Sequence, residues 1–367
     1  MRILIIGSLE KTKGGSTKGG AEKSMIMMAN YFAKIGHEVM LSSISGDERP
    51  YVINDNVEVQ TYSIKGHGKL AVHYEMRKNT LDVIWHFKPD IMISFWIQPA
   101  FYGRRLIKKI KGKSIYTLRN DPDKGYSIFT KIMRLVTLRN VNGIVFQTKG
   151  AQEYFSKKIR KKSVVIHNPI YFHPDSVQTP TERQNRIVTV GRLSDQKNQK
   201  ELIKVFTKIV RCYPDFSLEI YGEGELRVEL QQLIDSYGLT KKVRLMGAVD
   251  DVIEHIKDAR VFVLCSIYEG LPNALMEAMA IGVPVISSDC SPGGPRELIE
   301  NNVDGLLYKV GDESGLYNCL KQILDNEERA EIMGQKARNK MESHTEEIIF
   351  NEWEKYITNI VNNKDSV

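Results

Sequence analysis

Residues 259–289 read ARVFVLCSIYEGLPNALMEAMAIGVPVISSD. The segment ARVFVLCSIY is a short apolar run of strand type, GVPVISSD is another, and a helical pattern from about Pro272 through Ile281 separates them. Proline is preorganised for the first helical position and has no N–H to lose there, so the helix is predicted to begin near Pro272. Strand, loop, helix, strand is a parallel βαβ unit, which makes the chain α/β. Glu269 falls at the carboxyl end of the first strand, the edge at which open α/β sheets bind ligands.

The helix start carries its own chemistry. Asn273, Ala274 and Leu275 offer backbone N–H groups with no partner inside the helix, and these donors and the positive end of the helix dipole point the same way, toward an anion. Glu269 stands just before that end, and Glu277, four residues after Asn273, shares its face one turn in. An anion cradle flanked by two carboxylates suits a ligand with phosphates at its centre and hydroxyls on either side, as in a nucleotide sugar. Two isolated glutamates read more readily as a solvated helix residue and an ordinary loop acid, so the rest of the chain decides.

Outward from this unit the same pattern recurs. Strand candidates in the first half are 3–6, 38–43, 57–64, 90–95, 114–118, 143–147 and 164–167, with helical patterns such as 21–34 and 100–110 between them. The second half restarts with strand candidates at 186–190, 217–221, 243–247, 261–265, 285–288 and 305–308. Residues 168–185 hold Pro169, Pro174 and Pro180 among polar residues and read as a linker. The expected architecture is two Rossmann-like, doubly wound domains facing across a cleft. They cover residues 1–168 and 186–342, are joined through 169–185, and are followed by a C-terminal helix within 343–367 that packs back on the first domain.

Composition narrows the function classes. The 367 residues are 42% hydrophobic and 26% charged, which suits a globular chain with two cores. No apolar run of about 18 residues exists, and MRILIIGSLE reads as a first strand rather than a signal peptide. The cysteines Cys212, Cys265, Cys290 and Cys319 form no CxxC pair and read as reduced thiols of a cytoplasmic protein. Residues 1–183 carry 30 Lys and Arg against 15 Asp and Glu, whereas the remainder carry 22 against 30, so the first half is basic and the second acidic. The basic charge clusters at residues 104–113 and 157–162, which suits either an anionic membrane surface or a lysine-rich solvated face. No nucleic-acid-binding motif accompanies it, and nucleic acid is not expected as a partner.

After the first strand the chain runs EKTKGGSTKGGAEKS, whose Gly14, Gly15, Gly19 and Gly20 stand before a helix without a GxGxxG fingerprint. That argues against a dinucleotide and leaves a loop whose backbone approaches a phosphate or sugar, or a plain mobile loop. The second domain's first strand ends in VGRLSDQKNQK, which puts Arg192 and Lys197 at the same sheet edge as Pro272 to Leu275. Two cations beside a helix N-terminus match the charge that grows on a leaving diphosphate.

The set GGAEK, GRLSDQKN, YGEGEL, EGLPNALMEAMAIGVPVISSD and GGPRELIENNVDGLL, in that order, resembles the retaining glycosyltransferases of family 4, which have the GT-B fold. The resemblance spans nearly the whole chain and is strongest from Val190 to Leu307. With SPGGPREL it is similar to bacterial hexosamine and galactose transferases that extend lipid-linked glycans. It implies a UDP-sugar held mainly by the second domain and a glycan acceptor, polyprenyl-diphosphate-linked, held by the first. It further implies that Glu277 holds the ribose hydroxyls, Glu269 contacts the donor sugar, Arg192 and Lys197 hold the diphosphate, and Gly20 lies against donor phosphate or acceptor. Gly222 and residues 246–249, with Met246 and Gly247, would border the base. Many relatives carry a histidine after the strand near residue 116. This chain has Arg119 there, a candidate substrate clamp whose guanidinium does not shuttle protons.

In such retaining enzymes the departing phosphate oxygen takes the acceptor proton during front-face attack. Asp121, Pro122 and Asp123 form a DxD-like triplet with a turn-forming proline at its centre, and no metal or other cofactor is expected. The expected location is the cytoplasm, peripheral on the inner face of the plasma membrane. Competing readings are a UDP-sugar 2-epimerase on a similar scaffold, a non-catalytic glycan-binding relative, and a nicotinamide oxidoreductase, which lacks its fingerprint.

Overall fold

The computed structural model describes residues 1–9, 20–47, 51–124, 126–178, 180 and 182–362, which divide into two units. The described part of the first comprises residues from 1–9, 20–167 and 347–362, and that of the second residues from 168–346.

The first unit is a seven-stranded sheet of β1 (Arg2–Gly7), β2 (Glu38–Ser43), β3 (Val57–Thr61), β4 (Ile91–Ser94), β5 (Lys113–Leu118), β6 (Gly143–Phe146) and β7 (Ser163–Val165). Its order is β3-β2-β1-β4-β5-β6-β7 and every pairing is parallel. Strands buried on both faces read as continuous apolar runs, and RILIIG and IMIS do so. The expected strand 57–64 stops at Thr61, and 164–167 shortens to a strand ending at Val165.

The helix Glu346–Asn362 belongs to this unit and buries Ile349, Phe350, Trp353 and Ile357, one stripe at helical spacing, with Phe350 against Tyr31 and Phe32 of the helix Gly20–Lys34. Burying an aromatic such as Phe350, which lies 5.2 Å from Tyr31 between ring centroids, contributes about 2–3 kcal/mol. Tyr356 Oη accepts from the Ile144 amide at 3.1 Å. Gly143 has no side chain because a Cβ there would sit 2.3 Å from Ile360 Cδ1.

The second unit is a six-stranded parallel sheet of β8 (Gln184–Val190), β9 (Ser217–Tyr221), β10 (Val243–Gly247), β11 (Ala259–Leu264), β12 (Val285–Ser288) and β13 (Leu306–Tyr308), in the order β10-β9-β8-β11-β12-β13. Alternate residues feed opposite cores. Ile187, Val261 and Val263 enter one cluster with Phe206, Leu218 and Ile220, whereas Val188, Phe262 and Leu264 enter another with Leu275 and Met276.

The order 3-2-1-4-5-6 sets β8 beside β11 at the centre, where the crossovers change direction. Loops leaving the carboxyl ends of these two strands therefore meet. Residues 168–185 differ from a free linker. Ile170 is buried and its amide donates to His344 O at 2.8 Å, while the buried Arg183 donates to Gly282 O at 2.7 Å, so this stretch is packed into the second unit.

Candidate functional site

The site in the second unit grows from three strand ends. The loop after β11 carries Glu269, which is 7% exposed, and its Oε1 accepts from Ser266 Oγ at 2.6 Å and from Lys197 Nζ. Lys197 comes from the loop after β8. Gln196 ties that loop down twice, with Nε2 donating to Tyr268 O at 2.9 Å and its carbonyl accepting from the Ile267 amide at 2.8 Å. The end of β12 joins through Ser288 Oγ, which donates to Ser266 O at 2.6 Å, and the loop after it through Ser291 O, which accepts from the Glu269 amide at 2.9 Å. The carboxylate and the ammonium are thus positioned by backbone and hydroxyl bonds from three loops.

The helix after Glu269 runs Asn273–Ala280, with Pro272 at the N-cap rather than at the first helical position. The Pro272 carbonyl accepts from the Met276 amide at 3.1 Å, so the amides of Asn273, Ala274 and Leu275 have no carbonyl one turn back. Asn168 fixes this end, its Nδ2 donating to Leu271 O at 3.1 Å and to Asn273 Oδ1 at 2.6 Å. Glu277 is half-buried one turn into the helix. Gly294 packs under the loop so closely that a Cβ would stand 1.9 Å from Gly270 O, which explains why SPGGP carries a glycine there.

Arg192 is exposed at the start of the β8 loop and has no acidic partner among the described residues. Beside it the ends of β8, β9 and β10 converge as bare backbone. The Gly191 amide donates to Tyr221 O at 2.9 Å and the Gly222 amide to Gly247 O at 2.7 Å. Gly222 has φ +132°, and a Cβ there would meet Gly191 O at 2.1 Å; Gly247 has φ +81°. Met246 is exposed next to them. Lys197, Glu269, Arg192, the helix start, Gly222 and Gly247 therefore all lie at the carboxyl edge of one sheet.

Buried thiols and a buried acid lie behind this edge. Burial pushes the Cys265 thiol up to about 12, with Glu201 adding to the effect, and burial with nearby Glu269 pushes Cys290 up to about 12. Both stay protonated at neutral pH and are not nucleophiles. Burial, and then the charges of Glu313 and Asp312, raise Glu201 to about 7. Its Oε2 accepts from Asn198 Nδ2, while Oε1 and the Tyr308 hydroxyl are buried with no hydrogen-bond partner among the described residues.

In the first unit Gly20 opens the helix Gly20–Lys34 and is exposed; Gly14, Gly15 and Gly19 lie outside the described residues. Arg119 follows β5, donates from Nη2 to Ser24 Oγ of that helix at 2.7 Å and lies over the Phe95 ring at 4.9 Å. The arginine is therefore held at the carboxyl edge of its own sheet. Asp121 Oδ1 accepts from the Asp123 and Lys124 amides at 2.7 and 2.9 Å, a turn that occupies the carboxylate, and Asp123 pairs with Lys131 at 2.9 Å. In the 157–162 cluster, Lys162 is not a free surface charge: its Nζ donates to Val141 O at 2.8 Å and Arg139 O at 3.2 Å, capping the end of the helix Ile128–Asn140, and burial lowers its pKa.

Sequence reading missed Ser266, Ser288, Asn168 and Glu201. Gly191 and Gly294 stood within the quoted motifs, yet their close approaches depend on backbone from distant loops.

Residues 174–340 match Glycosyl transferases group 1, and residues 18–172 match Glycosyltransferase Family 4. An uncharacterized glycosyltransferase of Methanocaldococcus jannaschii is 30% identical over 275 residues, 67% of each chain. A Campylobacter jejuni alpha-1,4-N-acetyl-D-galactosaminyltransferase, named for an undecaprenol-diphosphate-linked glycan, is 26% identical over 353 residues, 94% of this chain and 96% of that one. The Anabaena protein HepE in complex with UDP and glucose superposes with a TM-score of 0.81 at 17% identity, covering 98% of this chain and all of that one, which identifies the GT-B fold. With both halves matched in order, the chain belongs to the group 1 and family 4 glycosyltransferases.

Proposed function

We propose that this glycosyltransferase moves a hexose or N-acetylhexosamine from a UDP-sugar to a lipid-linked glycan acceptor with retention of the anomeric configuration. The observation that carries the reading is the Lys197–Glu269 pair at the carboxyl edge of β8 and β11, beside the free amides of the Asn273–Ala280 helix. Helix amides, Lys197 and Arg192 supply positive charge for a diphosphate, and a carboxylate in hydrogen-bonding reach of the same lysine suits sugar hydroxyls. Glu277 is assigned to the ribose hydroxyls, and the backbone of Gly222, Met246 and Gly247 to the base.

In this mechanism the bond from the anomeric carbon to the diphosphate oxygen breaks as the acceptor hydroxyl approaches from the same face. The departing oxygen takes the acceptor's proton, and the two cations stabilise the charge left on the diphosphate. We assign no metal to this step, because the Asp121–Asp123 triplet is spent on a turn and an ion pair. Arg119 is assigned to the acceptor side as a clamp. We also assign the chain to the cytoplasmic face of an anionic membrane, a reading supported by the basic first half and by the polyprenol-linked glycan in the name of the Campylobacter relative.

The test is UDP release from a panel of UDP-sugars with a polyprenyl-diphosphate glycan, with the product's anomeric configuration read by NMR. Acceptor-dependent UDP release and a retained anomer are expected. Conversion of the UDP-sugar to its epimer without acceptor would replace the transferase reading with epimerisation.

A further inference from the structure

In the first unit the helices Lys69–Phe87, Ile97–Lys109 and Ile128–Asn140 lie side by side. They meet at His73, whose Nδ1 is 2.5 Å from Tyr102 Oη and whose ring is 5.3 Å from that of Phe129. The third helix is apolar on its outer face. Ile128, Phe129, Ile132 and Leu135 are all exposed, Ile128 at 80%, while the inner face includes Arg134, buried over the Tyr126 and Phe155 rings. Leu70, 89% exposed, and Tyr74 extend this apolar surface on the first helix. Contiguous exposed apolar side chains of this kind mark an interaction surface.

Between the first two helices lies a cavity of about 470 Å³ lined by Arg77, Arg104, Arg105 and Lys109, with Phe101 and Tyr102 on its wall and no acid. None of the four cations makes an ion pair among the described residues, and the Arg104 guanidinium lies 4.0 Å from the Phe101 ring centroid. Burial and neighbouring Arg105 lower the Arg104 pKa, so the cluster is short of negative charge.

We propose that this face docks on an anionic phospholipid bilayer, with the apolar surface entering the headgroup and acyl boundary and the four-cation cavity taking a lipid phosphate. A solvated basic face accounts for the arginines and leaves the outward aliphatic stripe unexplained; a bilayer matches both, since interfacial binding combines buried apolar area with attraction to anionic headgroups. The inference rests on the membrane reading above and is independent of which sugar is transferred.

The experiment is co-sedimentation of the full chain with phosphatidylcholine vesicles and with phosphatidylcholine–phosphatidylglycerol vesicles at low and high salt. Binding to the anionic vesicles alone is expected, fading as the Debye length falls from about 10 Å at 0.1 M to about 3 Å at 1 M. Arg105→Ala with Lys109→Ala is expected to weaken binding about 30-fold, and Ile128→Ser with Ile132→Ser about tenfold or more. Both variants should keep the wild-type thermal unfolding and UDP release with a water-soluble acceptor, so a failed transferase reading and a failed docking reading give different results. Wild-type chain that ignores anionic vesicles, or variants that bind them as tightly as wild type, would overturn the proposal. So would inorganic diphosphate that binds through Arg105 and Lys109 while vesicle binding is unchanged, since the cavity would then serve a soluble anion.

Discussion

Lys197 Nζ donates to Glu269 Oε1 across 72 positions of sequence, and both side chains are largely withdrawn from water. An ammonium and a carboxylate in such a place each need a partner, because an uncompensated buried charge is costly. The pair therefore holds both groups in position at the sheet edge, where the Asn273 helix begins.

Lys197→Ala should leave Glu269 with Ser266 but without its cation. A loss of about 3 kcal/mol is expected by urea denaturation, reduced in the Lys197→Ala, Glu269→Gln double variant. Turnover should fall about 100- to 1,000-fold in Lys197→Ala, and Arg192→Ala should also lower turnover more than nucleoside binding. Wild-type turnover in either variant removes that residue from the diphosphate site.

Glu277→Gln is expected to weaken UDP binding with little effect on kcat at saturation, whereas Glu269→Gln should chiefly lower kcat. Calorimetric UDP titration and steady-state kinetics separate the two. The opposite split would exchange the assigned roles.

Gly222→Ala places a Cβ 2.1 Å from Gly191 O, at a φ that side chains rarely adopt, and should cost about 1–3 kcal/mol and lower UDP affinity. Gly191→Ala first meets the Lys197 stem, its nearest atom 3.2 Å away, so that side chain can give way. Its thermal midpoint should stay near wild type while turnover falls. Equal midpoints for the two variants would count against this account of the glycine platform.

Glu201 supplies a pH dependence. Its pKa rises from 4.5 to about 7 in the folded chain, so the folded state holds a proton that the unfolded state releases between these values. Stability from this group is therefore present below about 4.5 and is lost as pH rises through about 7, with a size on the order of 3 kcal/mol. Glu201→Gln should flatten that part of the stability profile and be the more stable chain at pH about 8, as measured by denaturant unfolding at several pH values. Parallel profiles for the two chains would show that Glu201 does not titrate in this range.

Much of the architecture was legible because its signals are local. Strands 217–221, 243–247 and 285–288 are short apolar or alternating runs bounded by turn residues, and they fall where expected. Pro272 marked the helix start to within one residue. The order of motifs placed Arg192, Lys197 and Glu269 in loops at strand ends and Glu277 one turn into the helix that follows, since in a parallel βαβ chain every such loop leaves at the same edge.

Tertiary structure decided what local pattern cannot carry. Lys197 reaches Glu269 because β8 and β11, far apart in sequence, are neighbours in the sheet. Ser266, Ser288 and Asn168 gain roles from loops that meet only after folding, and Lys162 turns from a surface charge into a helix cap because two carbonyls stand within its reach. The outward apolar stripe of Ile128–Asn140 was likewise hidden, because helical spacing reveals an apolar face and only packing decides whether that face turns inward or toward solvent.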